Sequence, residues 1–200
     1  LRISAPAWRA ASTATSRSFV SMGPRGINSQ GVCRRTLTRR RAPHTASAVR
    51  ALVVLLATAG GVGYAPVAPG TAGSLVAVPL VPLLGTLATR HGLVVWGLAV
   101  AAIVGIAIWA AGRAEPLFGH DAGKIVVDEV AGMVVASCFV PATWTAAAIV
   151  FVLFRLFDVW KPYPAGVVDR TWPGGLGVVG DDLVAGLYAG LVARLVLEVL

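Results

Sequence analysis

The chain has 200 residues, 56% of them apolar, with 23 Gly and 13% charged residues. Soluble domains carry about twice that charged fraction. The balance argues against disorder, a disulfide-stapled scaffold and a typical cytosolic enzyme, and for one membrane-embedded or membrane-hugging domain. The net charge of +8 looks like a nucleic-acid signal until it is divided along the chain. Residues 1–50 hold ten Arg and no acid, whereas residues 51–200 hold five Arg, two Lys and all nine acids. The basicity belongs to a tail, and a nucleic-acid partner is not expected.

Residues 1–50 are rich in Arg, Ser and Thr and have no sustained apolar period. They carry too little apolar surface to offset the entropy of ordering, so they read as a disordered extension. Two origins stay open. The composition resembles an organellar transit peptide. It is also what an upstream-extended reading frame from a GC-rich genome would give, with Met22 as a later start. A secretory signal ending at Ala57-Thr58-Ala59 is discounted, because the most chemically suggestive part of the chain begins at Gly60. Cys33 lies in this tail and Cys138 in an apolar run, a placement that argues against a disulfide or a catalytic thiol.

Residues 51–200 form the second expected domain. The run 51–59 is too short to cross a bilayer, which needs about twenty helical residues. Residues 72–89 are uncharged but should kink at Pro79 and Pro82, and 93–112 is the best spanning candidate. The runs 130–140 and 143–154 flank Pro141 and read as a helical hairpin, a re-entrant pair or two buried helices. The last run, 183–200, can place Arg194 and Glu198 on one helix face. Period-two alternation is absent, so the expected fold class is all-α: a membrane-associated helical bundle with short and kinked helices. With 72–89 crossing outward and 93–112 returning, the connections 60–73, 113–129 and 158–182 share one face with the basic tail. The positive-inside rule puts that face in the cytoplasm.

The acids are placed unevenly. Apart from Glu115 and Glu198, all lie in two connections, as Asp121, Asp128 and Glu129, then Asp158, Asp169, Asp181 and Asp182. An ionised Asp in a membrane costs about 2.5–3.5 kcal/mol on insertion scales, and adjacent carboxylates repel unless protons or cations intervene. Mg²⁺ is the natural remedy, a hard ion that takes carboxylate, water and phosphate oxygens. Helix capping is the plainer account of Asp128-Glu129 and Asp181-Asp182, each expected at the start of a helix. Both pairs together with Asp158 shift the balance toward metal. Arg155, Asp158 and Lys161 are spaced to share a helix face that Pro162 ends, an electropositive edge for a phosphate. The plainer account is an ion pair beside Trp160 and Tyr163 as membrane-surface anchors. Thr71 and Ser74 follow Pro69-Gly70 and could offer hydroxyls at a helix N-terminus, where anions are favoured, although Pro-Gly-Thr is also common turn chemistry. Residues 51–200 hold no Cys-x5-Arg loop, no Asp-x-Asp nucleophile, no histidine pair for a phosphohistidine route, and no Gly-x4-Gly-Lys-Ser/Thr stretch. Metal-assisted attack of water on phosphorus remains. The rival is a small membrane cation transporter or channel, which predicts internal repeats and acids inside the spans; here the acids sit at segment ends.

Three separated blocks carry a resemblance. The first is Gly61-Val62-Gly63-Tyr64-Ala65-Pro66 with Pro69-Gly70-Thr71-Ala72-Gly73-Ser74-Leu75. The second is His120-Asp121, Gly123-Lys124-Ile125-Val126, Asp128-Glu129 and Gly132-Met133. The third runs from Phe154-Arg155-Leu156-Phe157-Asp158-Val159-Trp160-Lys161-Pro162 through Asp169-Arg170 and Gly174-Gly175-Leu176-Gly177 to Asp181-Asp182-Leu183-Val184-Ala185-Gly186. In order and spacing over residues 60–200 the chain resembles the phosphatidylglycerophosphatase A family. The resemblance implies an all-helical bacterial inner-membrane enzyme that hydrolyses phosphatidylglycerophosphate to phosphatidylglycerol and phosphate with Mg²⁺. It also implies Asp128, Glu129, Asp158, Asp181 and Asp182 as metal and catalytic carboxylates. The resemblance implies His120, Asp121, Lys161, Asp169 and Arg170 as phosphate-contacting or supporting groups; Thr71 and Ser74 as phosphate contacts and Arg155 in support come from the reading of the residues themselves. If the extension is a genuine transit peptide, the membrane is organellar.

Overall fold

The computed structural model describes residues 44–119 and 122–199, without the side chains of residues 44–46 and Asp169. Regular structure among the described residues is entirely helical: α1 His44–Ala57, a 3-10 turn Val62–Tyr64, α2 Pro69–Ala77, α3 Leu80–Phe118, α4 Val127–Ser137, α5 Trp144–Trp160, α6 Ala165–Thr171 and α7 Gly175–Val199. They lie in the compact unit Ala42–Leu200. The expected all-α class holds.

Local chemistry sets the boundaries. The expected kink in 72–89 is a break: α2 ends at Ala77, Pro79 precedes α3, and Pro82 sits in the first turn of α3, where a missing N–H is tolerated. Gly92 (φ 84°, ψ 165°) divides α3 into limbs 80–91 and 93–118. The second limb extends past residue 112, carrying Arg113 and Glu115, to Gly119 at φ 105°. Thr143 caps α5 by accepting the Ala146 N–H at 3.1 Å. Helix α1 starts at His44, before the apolar run at residue 51, because Ala46, Ala48 and Arg50 are good enough helix formers to extend it backward.

Helices α4 and α7 form the central pair. On one flank, α1 (Val53, Ala57) and the second limb of α3 (Ala107, Ala110, Ala111, Ala114) pack against Ala131, Val178 and Val179. On the other, α2 (Ala77), the start of α3 (Val81) and α5 (Ala147, Val150, Phe154) pack against Met133, Ala136, Ala185, Ala189 and Ala193. The core is rich in alanine, and small residues let helix backbones approach closely. Of the three readings of the Pro141 region, α4 fits that of a buried helix: eleven residues make about 16 Å, too short to span. Among the described residues one stretch, Pro69–Phe118, is long and apolar enough to cross a membrane, with a mean hydropathy of 2.5 in its most apolar part, of which 11% is buried. Leu93, Val94 and Leu98 stand outward on it, each at least two-thirds exposed.

Candidate functional site

Three helices deliver carboxylates to one place. Helix α4 supplies Asp128 and Glu129 in its first turn, where acids are electrostatically favoured. The start of α4 is tied down because the Val126 N–H donates to the Ala57 carbonyl at 2.9 Å. Helix α7 supplies Asp182, and α5 supplies Asp158 from its last turn. Carboxylate oxygens of Asp128, Glu129 and Asp182 all lie within 4.8 Å of one another. Asp128 and Asp182 are almost fully buried, at 7% and 4% exposure.

The capping account fails for α7. That helix begins at Gly175 rather than near Asp181, so Asp181 and Asp182 stand about two turns inside it, beyond the dipole's first turn. Asp158 is also in the wrong place for capping, since a carboxylate near a helix C-terminus is disfavoured. Arg155 offsets this by pairing with Asp158 at 2.5 Å, and it reaches Glu129 at 4.0 Å. The Arg155 guanidinium also donates to the Ser74 hydroxyl at 3.5 Å, and that hydroxyl donates to the Gly70 carbonyl at 2.9 Å.

All of these acids lie outside the stretch Pro69–Phe118. Burial pushes the Asp128 carboxyl well above the usual Asp range, and the neighbouring Glu129 and Asp182 charges add to it. Burial likewise raises Asp182, reinforced by Asp158 and then Glu129. Burial raises Glu129 too, against the lowering effect of its hydrogen bond with Asp128 and of Arg155. Glu129 Oε2 is buried and has no hydrogen-bond partner among the described residues. A buried, unpartnered carboxylate oxygen beside two further carboxylates is costly unless a cation completes the site. The donor set is all hard oxygen, which fits a hard divalent ion. Among the described residues, Asp128, Glu129 and Asp182 are therefore the group that can hold a metal ion.

The other expected residues are distributed around this cluster. Lys161 caps α5 in a left-handed conformation (φ 46°) and, instead of sharing the Arg155–Asp158 face, pairs with Asp181 on α7 at 2.7 Å. It also lines a cavity of about 320 Å³ with Tyr163, Gly166, Val167, Arg170 and Thr171. That cavity thus adjoins the cluster through Lys161, Asp181 and the adjacent Asp182. Thr71 lies half-buried in the first turn of α2, and Ser74 is fully buried behind Arg155. His120 and Asp121 lie outside the described residues, as does the side chain of Asp169. Trp160 and Tyr163 are exposed, as surface anchors require.

Sequence reasoning missed Gly70. A Cβ there would collide with Glu129 Oε1, so only glycine lets that carboxylate lie against α2. The Pro69-Gly70 pair reads as a turn in sequence, and its contact with an acid 59 residues away leaves no local trace. Also missed was a second cavity, of about 400 Å³, lined by Tyr64, Pro69, Phe118 and Lys124 among others.

Residues 55–197 match the phosphatidylglycerophosphatase A family. Phosphatidylglycerophosphatase A of Escherichia coli (strain K12) is 38% identical over 137 residues, covering 68% of this chain and 77% of that protein. A Bacteroides thetaiotaomicron protein named "Putative phosphatidylinositol-3-phosphatase" is 37% identical, covering 69% and 89%. Phosphatidylglycerophosphatase A of Haemophilus influenzae is 35% identical, covering 69% and 84%. No solved structure matches. The acid-lined helical core, the family match and these relatives agree: the chain belongs to the phosphatidylglycerophosphatase A family, and it is a lipid phosphatase.

Proposed function

We propose that the protein hydrolyses phosphatidylglycerophosphate to phosphatidylglycerol and inorganic phosphate, with Mg²⁺ held by Asp128, Glu129 and Asp182. The observation that carries this reading is the buried, unpartnered Glu129 Oε2 within a three-carboxylate cluster of a chain in this family. Bound there, Mg²⁺ would neutralise charge on the phosphate oxygens and the leaving group. Asp158, at the edge of the cluster and held by Arg155, would orient a water and take its proton. The water oxygen attacks phosphorus, the ester P–O bond breaks, and the proton passes to the glycerol oxygen that leaves. Lys161 and Arg170, on the cavity beside the cluster, contact the phosphate, with Thr71 and His120 as further contacts. Asp181 holds Lys161 in place, Ser74 supports Arg155, and Asp121 and Asp169 are supporting acids. The reaction belongs to phosphatidylglycerol biosynthesis at the cytoplasmic face of a bacterial inner membrane. The catalytic unit is residues 51–200, with 1–50 as an extension outside it.

Purified protein in detergent is expected to release phosphate from phosphatidylglycerophosphate, to stop with chelator and to recover with Mg²⁺. The same assay with phosphatidate and phosphatidylinositol 3-phosphate ranks the lipids. Folded protein that releases phosphate without any metal dependence would overturn the metal assignment. Faster release from either of the other lipids would overturn the substrate.

Gly70→Ala gives a sharper local test. The added methyl would push the Glu129 carboxylate off its seat while leaving the helices in place. Disturbing a group that orients a metal ligand typically costs about 10–100-fold. Turnover is expected to fall by that order, with a higher Mg²⁺ requirement and little change in thermal midpoint. Unchanged kinetics would show that Glu129 needs no fixed position.

A further inference from the structure

The 400 Å³ cavity has a chemistry that the proposed reaction has not used. Its walls include Gly63, Tyr64, Pro69, Phe118, Gly123 and Lys124. The Lys124 ammonium lies 5.6 Å from the Tyr64 ring centre and 5.9 Å from that of Phe118, both within cation–π range. The two rings meet edge to face with centres 6.4 Å apart, so they make a fixed cradle for the ammonium. The backbone is fixed as well, because a Cβ on Gly63 would strike the Lys124 carbonyl oxygen. Among the described residues the Lys124 ammonium has aromatic partners and no carboxylate within ion-pair distance. That sets it apart from Lys161, whose charge is met by Asp181.

The cavity also borders the acid cluster. Its wall residue Pro69 is followed directly by Gly70, against which Glu129 lies, and consecutive Cα atoms are about 3.8 Å apart. Lys124 is in the segment that leads into α4 and Asp128. A cation without a carboxylate among the described residues, in an aromatic-walled cavity next to the proposed phosphate-cleaving cluster, is suited to a second anion on the same substrate. Phosphatidylglycerophosphate carries one: besides the terminal phosphomonoester it has an internal phosphodiester.

We propose that Lys124, held by Tyr64 and Phe118, binds the internal phosphodiester of the lipid substrate and so selects lipids with two phosphates over lipids with one. This rests on the substrate assignment above. The test compares kcat and KM of wild type, Lys124→Gln and Lys124→Arg on phosphatidylglycerophosphate and on phosphatidate, which has only the monoester. The assays use non-ionic detergent micelles with Mg²⁺ and no other phospholipid, so the sole phosphodiester is the substrate's own. A charge-assisted hydrogen bond is worth about tenfold or more. Lys124→Gln is therefore expected to raise KM for phosphatidylglycerophosphate about tenfold and to collapse the preference over phosphatidate by the same factor. Lys124→Arg should recover most of it. Tyr64→Leu, which removes one wall of the cradle, should shift KM in the same direction. Equal losses on both lipids, or no loss on either, would overturn the assignment of Lys124. A loss that appears only when other phospholipid is added would overturn it too, by giving the phosphodiester to a bilayer neighbour. Wild type inactive on phosphatidylglycerophosphate but active on phosphatidate would overturn the substrate assignment itself, a separate result.

Discussion

Replacing Asp182 by Asn is expected to remove turnover and, at the same time, to make the metal-free protein more stable. The two effects share a cause. Asp182 is 4% exposed, and its carboxyl is pushed up by burial and by the charges of Asp158 and Glu129. Asn keeps the shape, can donate to Asp158 and, having no proton to lose, cannot add a repelling charge to the cluster as pH rises. Losing a carboxylate from the proposed ion site is expected to lower kcat at least about 10³-fold, roughly 4 kcal/mol of transition-state stabilisation. Thermal unfolding gives the second readout. At Mg²⁺ concentrations about 100-fold above its dissociation constant, the ion should stabilise wild type by about 2.7 kcal/mol. The variant should lose most of that shift.

The pH dependence has a definite sign. In the metal-free protein the folded carboxyls of Asp128 and Asp182 hold protons that the unfolded chain gives up near the ordinary Asp value of 3.8. The folded state therefore binds more protons than the unfolded state above that pH, and stability falls as pH rises from about 4 through the raised range. Mg²⁺ should flatten or reverse that fall, because the ion takes the place of the protons. A chelated wild type whose stability instead climbs from pH 4 to 7 would show that the cluster is not strained by its own charge. An Asp182→Asn variant with normal turnover would end the ion-site assignment.

Much of this site was legible because charge is scarce in the chain. With nine acids in total, the gathering of seven into two connections pointed to the candidate site before any helix was placed. The helical class followed from period and composition. What misled was glycine. Gly174-Gly175-Leu176-Gly177 reads as a loop leading to Asp181-Asp182, because isolated glycines weaken helices. In the structure Gly175 and Gly177 belong to α7. A Cβ on Gly175 would strike the Ile108 carbonyl, and one on Gly177 the Trp172 carbonyl. Both glycines are there for close packing: Gly177 against the turn just before the helix, and Gly175 against α3, a partner far along the chain that leaves no local signature. The same limit explains Lys161. Its spacing from Arg155 and Asp158 matches a helix face, but the helix ends at Trp160 and the left-handed turn at Lys161 aims it at Asp181. Helix α6, seven residues inside a connection, was hidden because its length is below what periodicity can resolve.

The close approach of α4 and α7 is what makes one site out of distant acids, and a single methyl group should undo it. Gly186 lies one turn beyond Asp182 on α7, and a Cβ there would strike the Gly132 carbonyl oxygen, with the Gly132 carbonyl carbon at 2.8 Å and its Cα at 3.0 Å. Gly132 is equally confined, by the Phe154 ring and by the Asp182 carbonyl oxygen at 2.7 Å. One turn further, Gly190 faces the Ala136 carbonyl at 2.8 Å. At Gly186 the neighbours are all backbone, so no side chain can swing aside there and the helices themselves must part, whereas Gly132 and Gly190 also meet the rings of Phe154 and Phe139. Overpacking of a core usually costs about 1–3 kcal/mol, occasionally more. Gly186→Ala is expected at or above the top of that range, and the parted helices should carry Asp182 away from Asp128 and Glu129. Activity and the Mg²⁺-dependent rise in thermal midpoint should therefore be lost together. The control is Gly105→Ala on α3, where an added Cβ meets nothing within 4 Å. Gly in a helix interior is worth about 0.8–1.0 kcal/mol less than Ala, so that change should be neutral or mildly stabilising and leave turnover intact. Equal tolerance of alanine at positions 186 and 105 would mean that α4 and α7 are not in backbone contact, and the geometry of the acid cluster would fall with that contact.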